Sequence, residues 1–352
     1  MSFLSSGVAL TDVQKSLVSP TSNIDIIRWE KFDYENNYCF GNGDNIEQWK
    51  NDTKVMNWAY WDKLKRLMSI IQFLTLYLTD KHNNPIILYI GKDDCIQFYV
   101  INELFPDLQF HIYSSVPLHK SLSQKENITY YNTDFDPNQW INTRYDIFLI
   151  TEELTIKQQK IQKNIDIDND IANNIIIWEL MLKYKDWIEL IKPAKSLLSF
   201  SFPKYDINLK LKDTNNIFTY LDGTFFKRAW THSYSSETGF VPNDNNTTRD
   251  YNILNYENML FHHNKNVRHK IKYLNPFNEL KTPISTNLSL YEDYDSHLTV
   301  HIILSYLKKY QYEEKYDTVM NIIEQIISII GEGKIDIFVL RSKEYKSAEI
   351  NK

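Results

Sequence analysis

The sequence has only two cysteines in 352 residues, Cys39 and Cys95. So sparse a pair builds no disulfide framework and fits a reducing compartment. Neither has zinc-type neighbours: Cys39 lies in a polar stretch and Cys95 opens a predicted helix. Glycine is also scarce, at eight residues, where average usage is about 7%. Asn, Ile, Lys and Tyr are abundant instead, a pattern of AT-rich coding found in some viruses and parasites. No apolar run is long enough to span a bilayer. Residues Met1 to Pro20 lack a basic stretch followed by an apolar core, so no signal peptide is predicted. A soluble intracellular protein is expected. The formal net charge of -6 excludes a chain coated in basic charge for bulk nucleic-acid binding. It leaves room for a local basic groove, with one cluster at Lys63, Lys65 and Arg66 and another at Lys265, Arg268, His269, Lys270 and Lys272.

What is present suits a core: 43% hydrophobic and 14% aromatic residues. Leu64, Leu67, Met68, Ile71, Leu74 and Leu78 recur at helical spacing, predicting a helix over 58–78. Ile86 to Ile90 is a continuous apolar run of buried-strand type. A helix follows over 95–104, then strands over 109–113, 128–131 and 145–150. A long helix spans 168–191, stopped by Pro193, and a strand spans 196–202. Strands alternating with helices predict an α/β fold with a mostly parallel sheet. Short strands over 217–221 and 225–230, joined through the turn pair Asp222-Gly223, come next. Residues 206–216 and 242–249 read as polar loops. Three helices are predicted over 251–274, 297–310 and 316–330.

In a doubly wound sheet the ligand lies beyond the carboxyl ends of the strands at the switch point. The first strand ends Tyr89-Ile90-Gly91 and continues Lys92-Asp93-Asp94-Cys95, with a single glycine and two adjacent carboxylates. The residues alone favour a strand–helix turn with Asp93 or Asp94 as helix N-cap. The next strand ends Tyr113-Ser114-Ser115, without the acid that grips a ribose. Glu152 and Glu153 follow a strand and suit either acid–base work or helix N-terminal charge. His262, His263 and His269 lack an acid to complete a metal site, and no metal is expected.

Several short motifs in a shared order make the resemblance specific. They are Leu88-Tyr89-Ile90-Gly91, Phe148-Leu149-Ile150-Thr151-Glu152, Ile191-Lys192-Pro193-Ala194, Ser233-Tyr234-Ser235-Ser236-Glu237, and Asn255-Tyr256-Glu257 leading into a basic run. Between about Phe32 and Lys272 the chain resembles the poxvirus poly(A) polymerase small subunit, which is also a cap-specific mRNA nucleoside-2′-O-methyltransferase. It looks like a divergent, entomopoxvirus-like member. The resemblance implies a Rossmann-like S-adenosylmethionine methyltransferase fold over 26–290. A flexible arm over 1–25, a helical extension over 291–331 and a tail over 332–352 would flank it.

That family works through a Lys-Asp-Lys-Glu tetrad. Carried over by position, the tetrad falls on Lys65, Glu152, Ser199 and Glu237, so the central lysine is lost. Serine cannot replace it as base or charge partner. The cofactor loop at Gly91 and the ribose acid are degenerate as well. The resemblance further implies cap and RNA contacts at Tyr34, Phe202, Tyr234, Ser235 and Glu257, with the rings of Tyr34 and Phe202 stacking on 7-methylguanine. Lys265 and Arg268 would track RNA phosphates, although a solvated charged face is an equally open meaning of that run.

The expectation is a non-catalytic regulatory subunit of a viral poly(A) polymerase, without cofactor. It would bind RNA, the catalytic subunit and an active small-subunit paralogue in the host cytoplasm, at the viral factory, and in the virion. The alternative is an active, S-adenosylmethionine-dependent 2′-O-methyltransferase in which Lys195 replaces the lost lysine.

Overall fold

A computed structural model describes residues 25–27, 59–153, 167–203, 217–231, 237–268, 271–274, 291–292, 294–314 and 316–330. The predicted arm up to residue 24, the tail, Tyr34, Tyr234 and Ser235 lie outside the described residues, as does the side chain of Lys265.

The strands β2 (Ile86–Gly91), β3 (Gln109–Ser114), β4 (Ile128–Tyr131), β5 (Ile147–Glu152) and β6 (Lys195–Phe200) pair in parallel. With β8 (Gly223–Phe226) and β9 (Thr238–Pro242) they form a seven-stranded sheet in the order β4-β3-β2-β5-β6-β9-β8. β9 runs antiparallel to both β6 and β8. The order reverses at β2, with β3 on one side and β5 on the other, as in doubly wound sheets. Every residue of β2 and β5 is buried, which is why both read as unbroken apolar runs.

Two cores explain the burial. On one face α1 (Ala59–Tyr77) and α2 (Gln97–Leu104) cover Ile87, Tyr89, Phe148 and Ile150. Ile70 and Phe73 lie outside the predicted stripe of α1 yet are fully buried, because α5 (Tyr294–Lys309) packs on its other side. The helix α6 (Tyr316–Ile330) adds Val319, Ile323 and Ile326 to the same core. On the opposite face α3 (Ile167–Ile191) lays Ile177, Met181, Tyr184 and Ile188 over Leu88, Leu149 and Leu198. Helices therefore cover both faces of a mostly parallel sheet, an arrangement compatible with a Rossmann-like fold. Among the described residues no helix is long and apolar enough to cross a membrane.

Three expectations are corrected. Asp222-Gly223 does join two strands but does not turn one onto the other: β7 (Ile217–Leu221) pairs with β10 (Thr248–Asn252), whereas β8, which begins at Gly223, pairs with β9. The supposed loop 242–249 thus holds the end of one strand and the start of another. The predicted helix over 251–274 is α4 (Ile253–His262) only. The side chain of Asn252 caps it by accepting from Asn255 N at 2.9 Å. It then loosens into a π-turn over His263–Val267, and β11 (Ile271–Leu274) pairs with β1 (Asp25–Ile27) and β12 (Tyr291–Glu292). Lastly, neither Asp93 nor Asp94 is the N-cap of α2. Ile96 occupies that position with no side-chain cap, and Cys95 before it has φ 58°. The scarcity of glycine shows here. Asn84, Asn142 and Asn246 also adopt positive φ, where asparagine is the best substitute for glycine.

Candidate functional site

The switch point brings the carboxyl ends of β2 and β5 side by side, with Gly91 opposite Glu152. Elements from six parts of the chain converge there. α1 contributes Lys65 and Arg66, the turn after β2 contributes Asp93, and β5 contributes Glu152. β6 contributes Ser199, the segment after β8 contributes Arg228, and Glu237 stands just before β9. Four of these, Lys65, Glu152, Ser199 and Glu237, are the positions singled out from the sequence.

Their side chains are tied together. Lys65 Nζ donates to Glu237 Oε2 at 2.8 Å and Ser199 Oγ donates to Glu237 Oε1 at 2.9 Å. Arg228 links the two glutamates. Its NH1 donates to Glu237 Oε1 at 2.7 Å and to Glu152 Oε2 at 3.2 Å, and its NH2 donates to Glu152 Oε1 at 2.6 Å. Arg66 stands 3.8 Å from Glu152 through Nε and bonds Asp93 Oδ2 at 2.6 Å through NH1. Glu152 and Arg228 are almost fully enclosed, at 2% and 1% side-chain exposure. Three cations therefore meet three carboxylates in a largely dry cluster. Burial pushes the Glu237 carboxyl up, but Lys65 and Arg228 outweigh it and bring the group from 4.5 to about 2. Burial disfavours the charge on Arg228, and Glu152 and Glu237 more than offset this, raising its pKa.

The turn after β2 is filled from within. The ring of Tyr89 lies over Gly91, and a Cβ there would meet three of its atoms at 2.5–2.7 Å. The glycine makes room for Tyr89, not for a ligand. Asp93 also accepts from Gln97 Nε2 at 3.1 Å, and Tyr89 OH lies 3.4 Å from its other oxygen. Asp94 pairs with Lys63 at 3.1 Å. Burial, with Asp93 alongside, holds the Tyr89 phenol and the Cys95 thiol well above their usual ranges, so both stay protonated. β3 ends at Ser114, whose hydroxyl donates to Asp93 O at 3.0 Å and accepts from Val116 N at 3.1 Å. These residues do not fit a nucleotide-type cofactor. The glycine is covered, the carboxylates are engaged, and a hydroxyl stands where a ribose-binding acid would.

The remaining candidates fall elsewhere. Phe202 is 1% exposed and meets the rings of Phe200, Phe218, Phe225, Tyr251 and Tyr256 at 4.9–5.8 Å. It is a core ring with no open face for a base. Arg268 is likewise buried and cannot track phosphates. It pairs with Asp295 at 2.9 Å and bonds Asn264 and the carbonyl of Thr231. Lys195 begins β6, at the opposite end of that strand from the site, where it pairs with Asp244 and lies over the Tyr77 ring. Four residues of strand separate it from Ser199, about 13 Å, so it does not supply the missing cation. Glu257 is half-buried on α4, beside Tyr256. Among the described residues no group of three or more His, Cys, Asp or Glu could hold a metal ion.

Arg228 escaped the sequence reading. Its signal was a pair of charges, Lys227-Arg228, inside the apolar run from Phe225 to Trp230. Both are buried, and a buried arginine implies a partner.

No protein-family model matches this sequence, and a search of curated proteins finds no match. The class that the structure defines is an α/β protein with a mostly parallel sheet and a closed ion cluster at its switch point.

Proposed function

We propose that this chain is a non-catalytic, methyltransferase-like regulatory subunit of a viral poly(A) polymerase. The observation that carries the non-catalytic half is the cluster itself. A general base or a charge-stabilising group must be able to reach substrate. Here Glu152 and Glu237 are committed to Arg228 and Lys65, and all four are buried. The covered Gly91 and the engaged Asp93 support absence of S-adenosylmethionine in the same way. The polymerase half rests on the motif resemblance. A subunit that holds RNA beside a catalytic partner raises local concentration and processivity without chemistry of its own.

The test is a tail-length assay. Purified catalytic subunit extends a labelled primer RNA with and without this chain. The reading expects co-purification of the two chains and a shift to long, processively added tails. Unchanged tail lengths and no association would sink it. Methylation of capped RNA above a Lys65→Ala control would instead favour the active enzyme.

A further inference from the structure

Arg228 is delivered to the cluster by a strained turn. Two residues on, Trp230 has φ 63°, a conformation that costs a bulky residue about 1–2 kcal/mol. The turn is pinned from three directions. Trp230 N donates to Asp295 Oδ1 at 2.9 Å, Trp230 Nε1 donates to Thr299 Oγ1 at 2.9 Å, and Thr231 Oγ1 donates to Arg228 O at 2.9 Å. Asp295 and Thr299 lie on α5, and Arg268 holds Asp295 in turn. Backbone strain held this firmly marks a position whose side chain matters.

The oxygen that Arg228 reaches is shared. Glu237 Oε1 receives Arg228 NH1 at 2.7 Å and Ser199 Oγ at 2.9 Å. Two positions thus look onto one carboxylate oxygen, one carrying a cation and the other a neutral hydroxyl. Two carboxylates that both reach Arg228 NH1 are close enough to repel. Without Arg228, Lys65 would still face Glu237 and Arg66 would still face Glu152, but the cation that joins the two carboxylates would be gone.

We propose that position 199 and Arg228 are alternative seats for a single cation, and that Arg228, held by α5, is the positioning residue that closes this site by locking Glu152 to Glu237. Arginine suits the task because its planar fork grips Glu152 with two nitrogens and shares one of them with Glu237, which a lysine ammonium cannot do as rigidly. The lock belongs to the same site as the non-catalytic reading and explains why that site is shut. Its test is separate, since it reads stability and titration and neither tail length nor methylation.

The test is a cation swap in the full chain. Arg228→Ala removes the cation, Ser199→Lys adds one, and the double variant moves it from one seat to the other. Urea unfolding is followed as a function of pH. Each single change should destabilise, the first by leaving two carboxylates underpaired and the second by adding a surplus buried charge. The double variant should unfold at higher urea than either single variant. Arg228→Ala should also move acid unfolding up by about one pH unit, and Ser199→Lys in that background should bring it back. A packing loss would also move the acid midpoint, but it would leave the change of unfolding free energy with pH between about 5 and 3 as it is in the native chain, whereas removing the cation alters that change. If Arg228→Ala fails to fold, recovery of a folded double variant supports the swap equally. A double variant no better than the more stable single one, or one that stays unfolded, overturns it. So does a pH dependence of the unfolding free energy that Arg228→Ala leaves unchanged.

Discussion

Replacing Glu237 by glutamine removes one charge from the cluster and nearly nothing else. In the folded chain its carboxyl is brought from 4.5 to about 2, because Lys65 and Arg228 outweigh burial. That is a depression of about 2.5 units, and at roughly 1.4 kcal/mol per unit it corresponds to about 3 kcal/mol. The size agrees with breaking a buried ion pair at one partner, about 3–5 kcal/mol. The sign follows from the direction of the shift. A folded pKa below the unfolded one stabilises fully above the unfolded value, and the benefit fades as pH falls from about 4.5 towards 2. Glu237→Gln should therefore cost about 3 kcal/mol at pH 7. The gap to the native chain should shrink by about 2 kcal/mol by pH 3. Urea unfolding followed by tryptophan fluorescence measures both, with buried Trp230 near the cluster as a reporter. A cost under about 1 kcal/mol at pH 7, typical of an exposed pair, would refute the reasoning, as would an unchanged gap at pH 3.

Gly91→Ala should destabilise by about 1–3 kcal/mol, since its Cβ meets the Tyr89 ring at 2.5–2.7 Å. Shortening the ring residue with Tyr89→Leu in the same chain should recover part of the loss, and a harmless Gly91→Ala would show that the ring does not fill that space. Phe202→Ala should cost about 3–5 kcal/mol in thermal or urea unfolding, as for a core aromatic. A cost under about 1 kcal/mol would mean that the ring is not packed.

Much of the fold was legible because the parallel strands are buried on both faces. Ile86 to Gly91 and Ile147 to Glu152 carry no polar alternation to confuse them. The helix α3 was bounded by Pro193 and its own spacing. Errors gathered where partners distant in sequence decide the outcome. Ile271–Leu274 continues a helical pattern on paper, but it pairs with Asp25–Ile27, 246 residues earlier in the register Asp25 to Ile271. Asp222-Gly223 has the right residues for a hairpin, yet the two strands it joins find other partners. At the site, Lys65, Glu152, Ser199 and Glu237 came as a set from the resemblance alone, carried over position by position, and the structure places them side by side. Arg228 was not legible, because no spacing rule connects it to Glu152, 76 residues earlier. Phe202 and Arg268 were misread for a shared reason. A ring or a cation looks the same in sequence whether it faces water or a buried partner, and only the packing of Tyr256 and Asp295 against them decides.

We propose that the switch-point site, closed by its own charges, takes no S-adenosylmethionine. Calorimetric titration of the folded full-length chain with S-adenosylmethionine tests it most directly. The closed cluster predicts no saturable heat, with the native chain and Glu152→Gln alike. A saturable one-to-one isotherm with the native chain would contradict it.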